Sequence, residues 1–356
     1  MPDLEAHPIA VLGAGSWGTA LAYSLSTHGG HRVRLWARRE SLVEQIRTER
    51  VNGDYLPGAE LPPTVSVTAS LEEAVGDAAL VVFATPSQAV RKVAEQVEGL
   101  IGPDRAVISV AKGIERETLL TTSQVLCDAL PRVDASKVGV LYGPSHAEEV
   151  AAGQPTTVVT AMPDLDAAHA VQHAMITDRL RIYVNEDLIG VEIAGSVKNV
   201  IALAAGMSDG VGLGDNAKAA LVTRGLAEVK RLGLALGADP LTFAGLAGLG
   251  DLVVTCFSRH SRNRHFGEEI GRGKPREAVE AEMKMVAEGV ATTESVRALA
   301  RRERVEMPIT EAVYQILFEG LKPREAVVDL MTRAPQREMG LREIIDEPDP
   351  AGGRSP

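Results

Sequence analysis

Short runs rich in Val, Ile and Leu recur along the first half of the chain, and between them lie stretches of helical pattern. The runs Ile9–Gly13, Arg32–Trp36, Ala79–Ala84, Ala106–Val110, Val138–Tyr142 and Thr156–Thr160 are short and carry the β-branched residues that favour strands. Between them, Trp17–Thr27, Ser41–Arg50, Leu71–Val75, Gln88–Leu100 and Thr118–Leu130 are expected to be helices. Strands and helices alternating at this length predict a parallel sheet covered on both faces. Leu56-Pro57-Gly58 and Leu61-Pro62-Pro63 read as loops, because Pro and Gly interrupt both patterns.

After about Leu188 the strand signal fades. Leu188–Ala205, Ala217–Leu236, Arg276–Met285, Thr292–Arg302, Ile309–Glu319 and Arg324–Met331 all read as helices. Pro308 and Pro323 stand at or just before helix starts, where a missing N–H costs nothing. From Asp346 the chain is rich in Pro, Gly and charge, a composition that cannot bury enough apolar surface to order itself. The expected plan is an α/β domain over residues 1–187, an all-α domain over 188–340 and a disordered tail over 341–356.

The length of 356 residues agrees with two domains, and no repeat of solenoid period is present. A net charge of -11 argues against a nucleic-acid binder, which needs a basic face, but leaves room for one local basic pocket. Two cysteines, Cys127 and Cys256, fit a reducing compartment. The N-terminus lacks a secretory pattern, and no apolar run is expected to reach the ~18–20 residues of a membrane span. A soluble cytoplasmic protein without membrane insertion is the expectation.

Gly13-Ala14-Gly15-Ser16-Trp17-Gly18 is a GxGxxG motif directly after the first strand and at the opening of a helix. In that context Gly13 permits a tight turn, Gly15 lets a pyrophosphate approach the backbone, and Gly18 lets helix and strand pack closely. The α/β domain is therefore expected to be a Rossmann-type dinucleotide-binding domain. The cofactor ribose is normally read at the end of the second strand, roughly 20 residues on. Arg38 and Arg39 stand there in place of the usual carboxylate and would suit a 2′-phosphate. They favour NADPH, while the neighbouring Glu40 leaves NADH open.

Two further strands end in glycine turns, at Lys112-Gly113 and at Gly143-Pro144-Ser145-His146, where an α/β enzyme places its chemistry. Lys198 has Ala194, Gly195, Ile201 and Ala202 as its helical neighbours, so no carboxylate on its own helix explains it. It either reaches to solvent or is buried with a lowered pKa for acid/base work. Gly248-Leu249-Gly250-Asp251 precedes a stretch carrying Arg259, His260, Ser261, Arg262, Asn263, Arg264 and His265. Three arginines with Ser and Asn donors fit a phosphate or carboxylate; otherwise they form a solvated basic turn. Cys256, His260 and His265 lack the spacing of a metal site, and none is expected.

These segments together resemble bacterial NAD(P)-dependent glycerol-3-phosphate dehydrogenase. The resemblance runs from about Ile9 to Arg333. It is carried by GAGSWGTALA (13–22), KGIE (112–115), GPSHAEEV (143–150), GVEIAGSVKNVIALAAG (190–206), GDNAKAALVTRGLAE (214–228), GLGDLVVTC (248–256), HSRNRHFG (260–267) and MPITEAVYQ (307–315). It implies reversible reduction of dihydroxyacetone phosphate to sn-glycerol 3-phosphate, supplying glycerophospholipid synthesis, by a homodimer. Ser16, Trp17, Arg38, Arg39 and Tyr55 would line the cofactor, with Ala147 also on it. Lys112, Gly143 and Ser145 would sit where cofactor and substrate meet. Lys198 would exchange the proton at the C2 oxygen, and Asp251 would orient Lys198 and the substrate. Ser261, Arg262 and Asn263 would hold the substrate phosphate, with Arg262 also reaching the cofactor, and Val286 and Glu288 would touch the nicotinamide side. One departure is visible: Tyr142, preceded by Leu141, stands where a serine commonly precedes Gly143. The alternatives are a β-hydroxyacid or 6-phosphogluconate type dehydrogenase, and a non-catalytic NADPH-sensing module.

Overall fold

The alternating apolar runs build one eight-stranded sheet with helices on both sides. This is a computed structural model, and it describes residues 7–283 and 285–333. The expected disorder of 341–356 therefore lies outside the described residues. The first half contains β1 (Ile9–Leu12), α1 (Ser16–Thr27), β2 (Val33–Trp36), α2 (Glu40–Glu49), β3 (Val51–Asn52), β4 (Leu56–Glu60), β5 (Val65–Thr68), α3 (Leu71–Val75), β6 (Leu80–Phe83) and α4 (Val90–Val97). It continues with β7 (Ala106–Ser109), α5 (Thr122–Ala129), β8 (Val138–Tyr142), α6 (Ala147–Ala151), β9 (Thr156–Ala161), α7 (Leu165–Met175) and β10 (Leu180–Asn185). Strand order is β10-β9-β8-β7-β6-β1-β2-β5. Leu12, Val81 and Phe83 pack on one face and Ile9, Leu35 and Ile108 on the other, so both faces are dry.

The structure corrects several sequence expectations. The sheet is parallel from β5 through β8, but β9 pairs antiparallel with β8, so the last two strands run the other way. Leu56-Pro57-Gly58 is not a loop; it belongs to β4, which pairs with β3 in a two-stranded hairpin. Pro is tolerated there because such a ribbon leaves one edge of each strand free of ladder bonds. The strands β5 and β10 and the helix α7 escaped the sequence reading. The helix expected from Thr118 begins at Thr122, because Thr121 caps it in a reciprocal box with Gln124.

The second half is helical: α8 (Leu188–Val211), α9 (Asp215–Ala235), α10 (Asp251–Phe257), α11 (Arg262–Gly271), α12 (Arg276–Glu282), α13 (Glu288–Arg302), α14 (Pro308–Tyr314) and α15 (Pro323–Met331). The helices α10 and α11 were not expected, and α13 starts four residues before the expected Thr292. The expectation that no segment could span a membrane also needs correction. By length and composition α8 could, with 24 residues and a mean hydropathy of 1.6 in its most apolar window. It is instead the central core helix, with 83% of that window buried inside the protein.

Four glycines set how closely α8 meets α11. A Cβ on Gly206 would strike the Arg264 carbonyl, and one on Gly210 the Glu268 carbonyl. Gly267 and Gly271 meet the Leu203 and Met207 carbonyls in the same way from the other side. Two small residues four apart on each helix let the backbones touch, which brings the start of α11 alongside the middle of α8.

Candidate active site

Chain segments following β1, β6, β7 and β8 converge with α8, α10, α11 and α13 around a cleft of about 300 Å³. Its position beyond the carboxyl ends of parallel strands is where this sheet type binds ligands. Of the residues singled out from sequence, Gly15, Ser16, Trp17, Tyr55, Lys112, Ser145, Lys198, Asp251, Ser261, Arg262, Asn263, Val286 and Glu288 line it.

The glycine loop divides its labour by residue. Gly13 has φ +131°, and a Cβ there would lie 2.6 Å from the Ala84 carbonyl oxygen. A Cβ on Gly18 would strike the Gly13 carbonyl. Both are therefore required by the protein's own packing and lie outside the lining. Gly15 differs, since a Cβ there would meet nothing within 4 Å. It caps α1 without any side-chain hydrogen bond, so the first-turn N–H groups have no intrahelical acceptor. An open glycine at an uncapped helix N-terminus fits a dinucleotide pyrophosphate. Beside it, the Ser16 hydroxyl donates to the Tyr55 carbonyl at 2.7 Å.

At the tip of β2, Arg38 is exposed, whereas Arg39 donates to Asp54 at 3.0 Å and lies over the Tyr55 ring at 5.9 Å. Ala147 is buried at the start of α6, packed in a small cluster with Ala20 and Leu56. Gly143, with φ +135°, turns the chain after β8. Its carbonyl accepts from Lys112 Nζ at 2.9 Å and from Ser145 Oγ at 3.0 Å.

The second half supplies the charged centre. Lys198 is 5% exposed, which removes the alternative of a side chain reaching to solvent. Its ammonium donates to Oδ1 of Asp251 and, at 2.7 Å, to Thr255 Oγ1. Asp251 Oδ2 receives Lys112 Nζ at 2.7 Å. Burial pulls the Lys198 pKa down to about 7, with Asp251 opposing the shift and the Lys112 charge adding to it. The two ammoniums hold Asp251 below the ordinary carboxylate range against its own burial. Glu288 is raised by burial, with Arg262 acting against the rise, and accepts from the Ser87 N–H at 3.1 Å.

Asn263 is held from two sides. Its amide donates to Asn199 Oδ1 at 2.9 Å and accepts from the Gly289 N–H at 2.9 Å. Ser261 caps α11 by accepting from the Arg264 N–H at 3.2 Å, so its hydroxyl hydrogen remains to donate to a ligand. The three arginines do not act as one cluster. Only Arg262 lines the cleft; Arg264 turns to Asp209 at 2.5 Å, and Arg259 is exposed outside it.

Sequence reasoning missed Thr255, Asn199, His146 and His260, which also line the cleft. Thr255 carries the one legible signal, standing four residues after Asp251 and hence on the same helical face. The histidines were read only as part of their motifs, and their rings lie 5.9 Å apart.

Comparison with known proteins agrees along most of the chain. Residues 8–168 match the model of the NAD-dependent glycerol-3-phosphate dehydrogenase N-terminus, and residues 187–328 match that of its C-terminus. A Salinibacter ruber protein named glycerol-3-phosphate dehydrogenase [NAD(P)+] 2 is 58% identical over 340 residues, covering 94% of this chain and 98% of its own. A Chlorobium limicola protein named glycerol-3-phosphate dehydrogenase [NAD(P)+] is 57% identical over 331 residues, covering 93% and 99%. The crystal structure of glycerol-3-phosphate dehydrogenase from Coxiella burnetii superposes with a TM-score of 0.88 at 40% identity, over 92% of this chain and 99% of that one.

Proposed function

The chain belongs to the NAD-dependent glycerol-3-phosphate dehydrogenase family, and from that premise we propose how its own residues carry out the reaction. It is an NAD(P)-dependent oxidoreductase that interconverts dihydroxyacetone phosphate and glycerol 3-phosphate. The observation that carries the mechanism is the buried Lys198–Asp251 pair, which lines one cleft together with the glycine loop and the Ser261–Asn263 turn.

The α/β half would carry most of the cofactor site and the helical half most of the substrate site, with side chains from both meeting in the cleft. Gly15, Ser16, Trp17, Arg38, Arg39 and Tyr55 would hold the phosphate and adenosine end of the cofactor, and Val286 and Glu288 would meet its nicotinamide end. When bound, the nicotinamide supplies or accepts the hydride exchanged at C2 of the substrate. Arg262, Asn263 and the free hydrogen of Ser261 grip the substrate phosphate, remote binding that fixes the C2 position. In the reductive direction Lys198 gives its proton to the C2 oxygen as negative charge develops there, and becomes a neutral amine. In oxidation the neutral amine takes the hydroxyl proton. Asp251 aims Lys198 in both directions, and Lys112 presents a second cation beside it. A Lys198 pKa of about 7 lets the group serve in either role near neutrality.

The exposed Arg38 beside Arg39 supports NADPH as the preferred cofactor, through a 2′-phosphate contact. The two cysteines, half-buried Cys127 and buried Cys256, are free thiols, which supports a reducing cytoplasm. Supply of glycerol phosphate for phospholipid synthesis, and a homodimer, rest on the family resemblance. The discriminating experiment mixes protein, dihydroxyacetone phosphate and NADPH or NADH and follows absorbance of the reduced nicotinamide. Decay faster with NADPH is expected; no decay with either would overturn the proposal.

A further inference from the structure

Tyr142 sits fully buried at the end of β8, beside Lys112 and against the helix that carries Lys198. On one side its ring packs on α8 at Gly195, where a Cβ would lie only 2.5 Å from the ring. Gly195 is three residues before Lys198, so the ring bears on the turn of helix that presents that lysine. On the other side Lys112 Nζ lies 5.7 Å from the ring centroid, within cation–π reach.

The phenol adds a second hold. Its hydroxyl donates to the carbonyl of Ala111, the residue that precedes Lys112. It also lies 3.0 Å from Thr122 Oγ1, which in turn donates to Glu192 Oε1 at 3.1 Å. Glu192 belongs to α8, and its carboxylate further accepts from Thr121 Oγ1 at 2.8 Å, the Ser123 N–H at 2.8 Å and Ser123 Oγ at 2.6 Å. The same side chain thus joins the backbone that carries Lys112 to the helix that carries Lys198. A serine hydroxyl, one bond beyond Cβ, cannot span that distance.

We propose that Tyr142 is a positioning residue that holds Lys112 against Asp251, and that Gly195 is its obligatory partner because any larger residue would displace the ring. The inference rests on the roles given above to Lys112 and Lys198. A wild-type enzyme inactive on dihydroxyacetone phosphate would remove those roles before Tyr142 is tested.

The charged and titratable groups around the two ammoniums are Asp251 and Cys256 from α10, Glu288 and Arg262 from the starts of α13 and α11, and His146 before α6. Among these the Lys112 charge acts to lower the Lys198 pKa. Slackening Lys112 therefore moves Lys198 upward. Because burial is the main cause of its lowered pKa, lost packing would move it the same way, so the shift discriminates in Tyr142→Phe, which keeps the ring in place.

The test compares Tyr142→Phe, which keeps the ring and removes the hydroxyl, with Tyr142→Ser and Gly195→Ala. Tyr142→Phe should lower kcat/KM for dihydroxyacetone phosphate about tenfold, and the other two about a hundredfold, the scale of a small misplacement of a catalytic group. In each variant that folds, the alkaline limb of the pH profile should move to higher pH. Tyr142→Phe is the smallest change and keeps the test open if the other variants do not fold. Wild-type kcat/KM in Tyr142→Phe, or a loss of activity with the alkaline limb unmoved, would overturn the proposal.

Discussion

Lys112 reaches Asp251 across 2.7 Å and 139 residues of sequence, and Lys198 occupies the other oxygen of that carboxylate. One buried anion thus serves two cations, and the pair of lysines cannot both be fully compensated. Burial of Lys198 is the main cause that lowers its pKa from 10.5 to about 7; Asp251 opposes the shift and the neighbouring Lys112 charge adds to it.

The direction of the pH dependence follows. Reduction of dihydroxyacetone phosphate needs Lys198 protonated, so its kcat/KM should fall as pH rises through about 7. Oxidation of glycerol 3-phosphate needs the neutral amine and should rise through the same region. Profiles measured in both directions should cross near neutrality; parallel profiles would refute Lys198 as the exchanging group.

Lys198→Ala should lower turnover by about 10²–10⁴-fold, the range of a lost general acid. NADPH binding, followed by fluorescence titration, should survive, because the pyrophosphate site proposed above is the glycine loop, which Lys198 does not touch. Unchanged turnover would remove the assignment.

Asp251→Asn keeps the shape and removes the shared charge, leaving two ammoniums face to face. Removing one partner of a buried ion group costs about 3–5 kcal/mol. Lys198 can relieve the strain by losing its proton, so the penalty should be larger at pH 6 than at pH 9. Urea unfolding of variant and wild type at the two pH values measures it; a penalty independent of pH would count against two cations sharing Asp251.

Much of this site could be read from the chain. Lys198 declared itself because no carboxylate stood on its own helical face, and the GxGxxG motif because it followed a strand. The partners of Lys198 were less visible. Asp251 was legible only through a family motif, since nothing local reveals a contact 53 residues away. The approach of α11 to α8 depends on glycines at 206, 210, 267 and 271, which carry no hydrophobic signal and mask a helix in any propensity reading. The β3–β4 hairpin was hidden by Pro57 and Gly58, and the reversal of β9 cannot be read from composition because parallel and antiparallel strands use the same residues.

At the tip of β2, Arg38 and Arg39 differ in freedom. Both are exposed, but Arg39 is engaged with Asp54. Arg38→Ala should weaken NADPH about tenfold, equivalent to about 1.4 kcal/mol, and leave NADH nearly unchanged. Isothermal titration with both cofactors decides the matter, since an equal loss for both would show that Arg38 does not read the 2′-phosphate.

Far from the cleft, Glu228 of α9 is 2% exposed and caps α14, accepting from the N–H groups of Ile309 at 2.6 Å and Thr310 at 3.2 Å. Burial outweighs these bonds and the nearby Arg231, and raises its pKa from 4.5 to about 7. The folded state therefore holds this proton more tightly than the unfolded chain. Its contribution to stability is full below about pH 4.5 and declines as pH rises to about 7, by at most ~3 kcal/mol. Glu228→Gln carries no charge at any pH and still offers one acceptor to the helix end, so it should lack this decline. The stability difference, variant minus wild type, should grow by up to ~3 kcal/mol between pH 5 and pH 7.5 in urea titrations. Because other titrating groups are common to both proteins, they cancel in that difference, and a flat result would mean that Glu228 is already charged in the folded protein at pH 5.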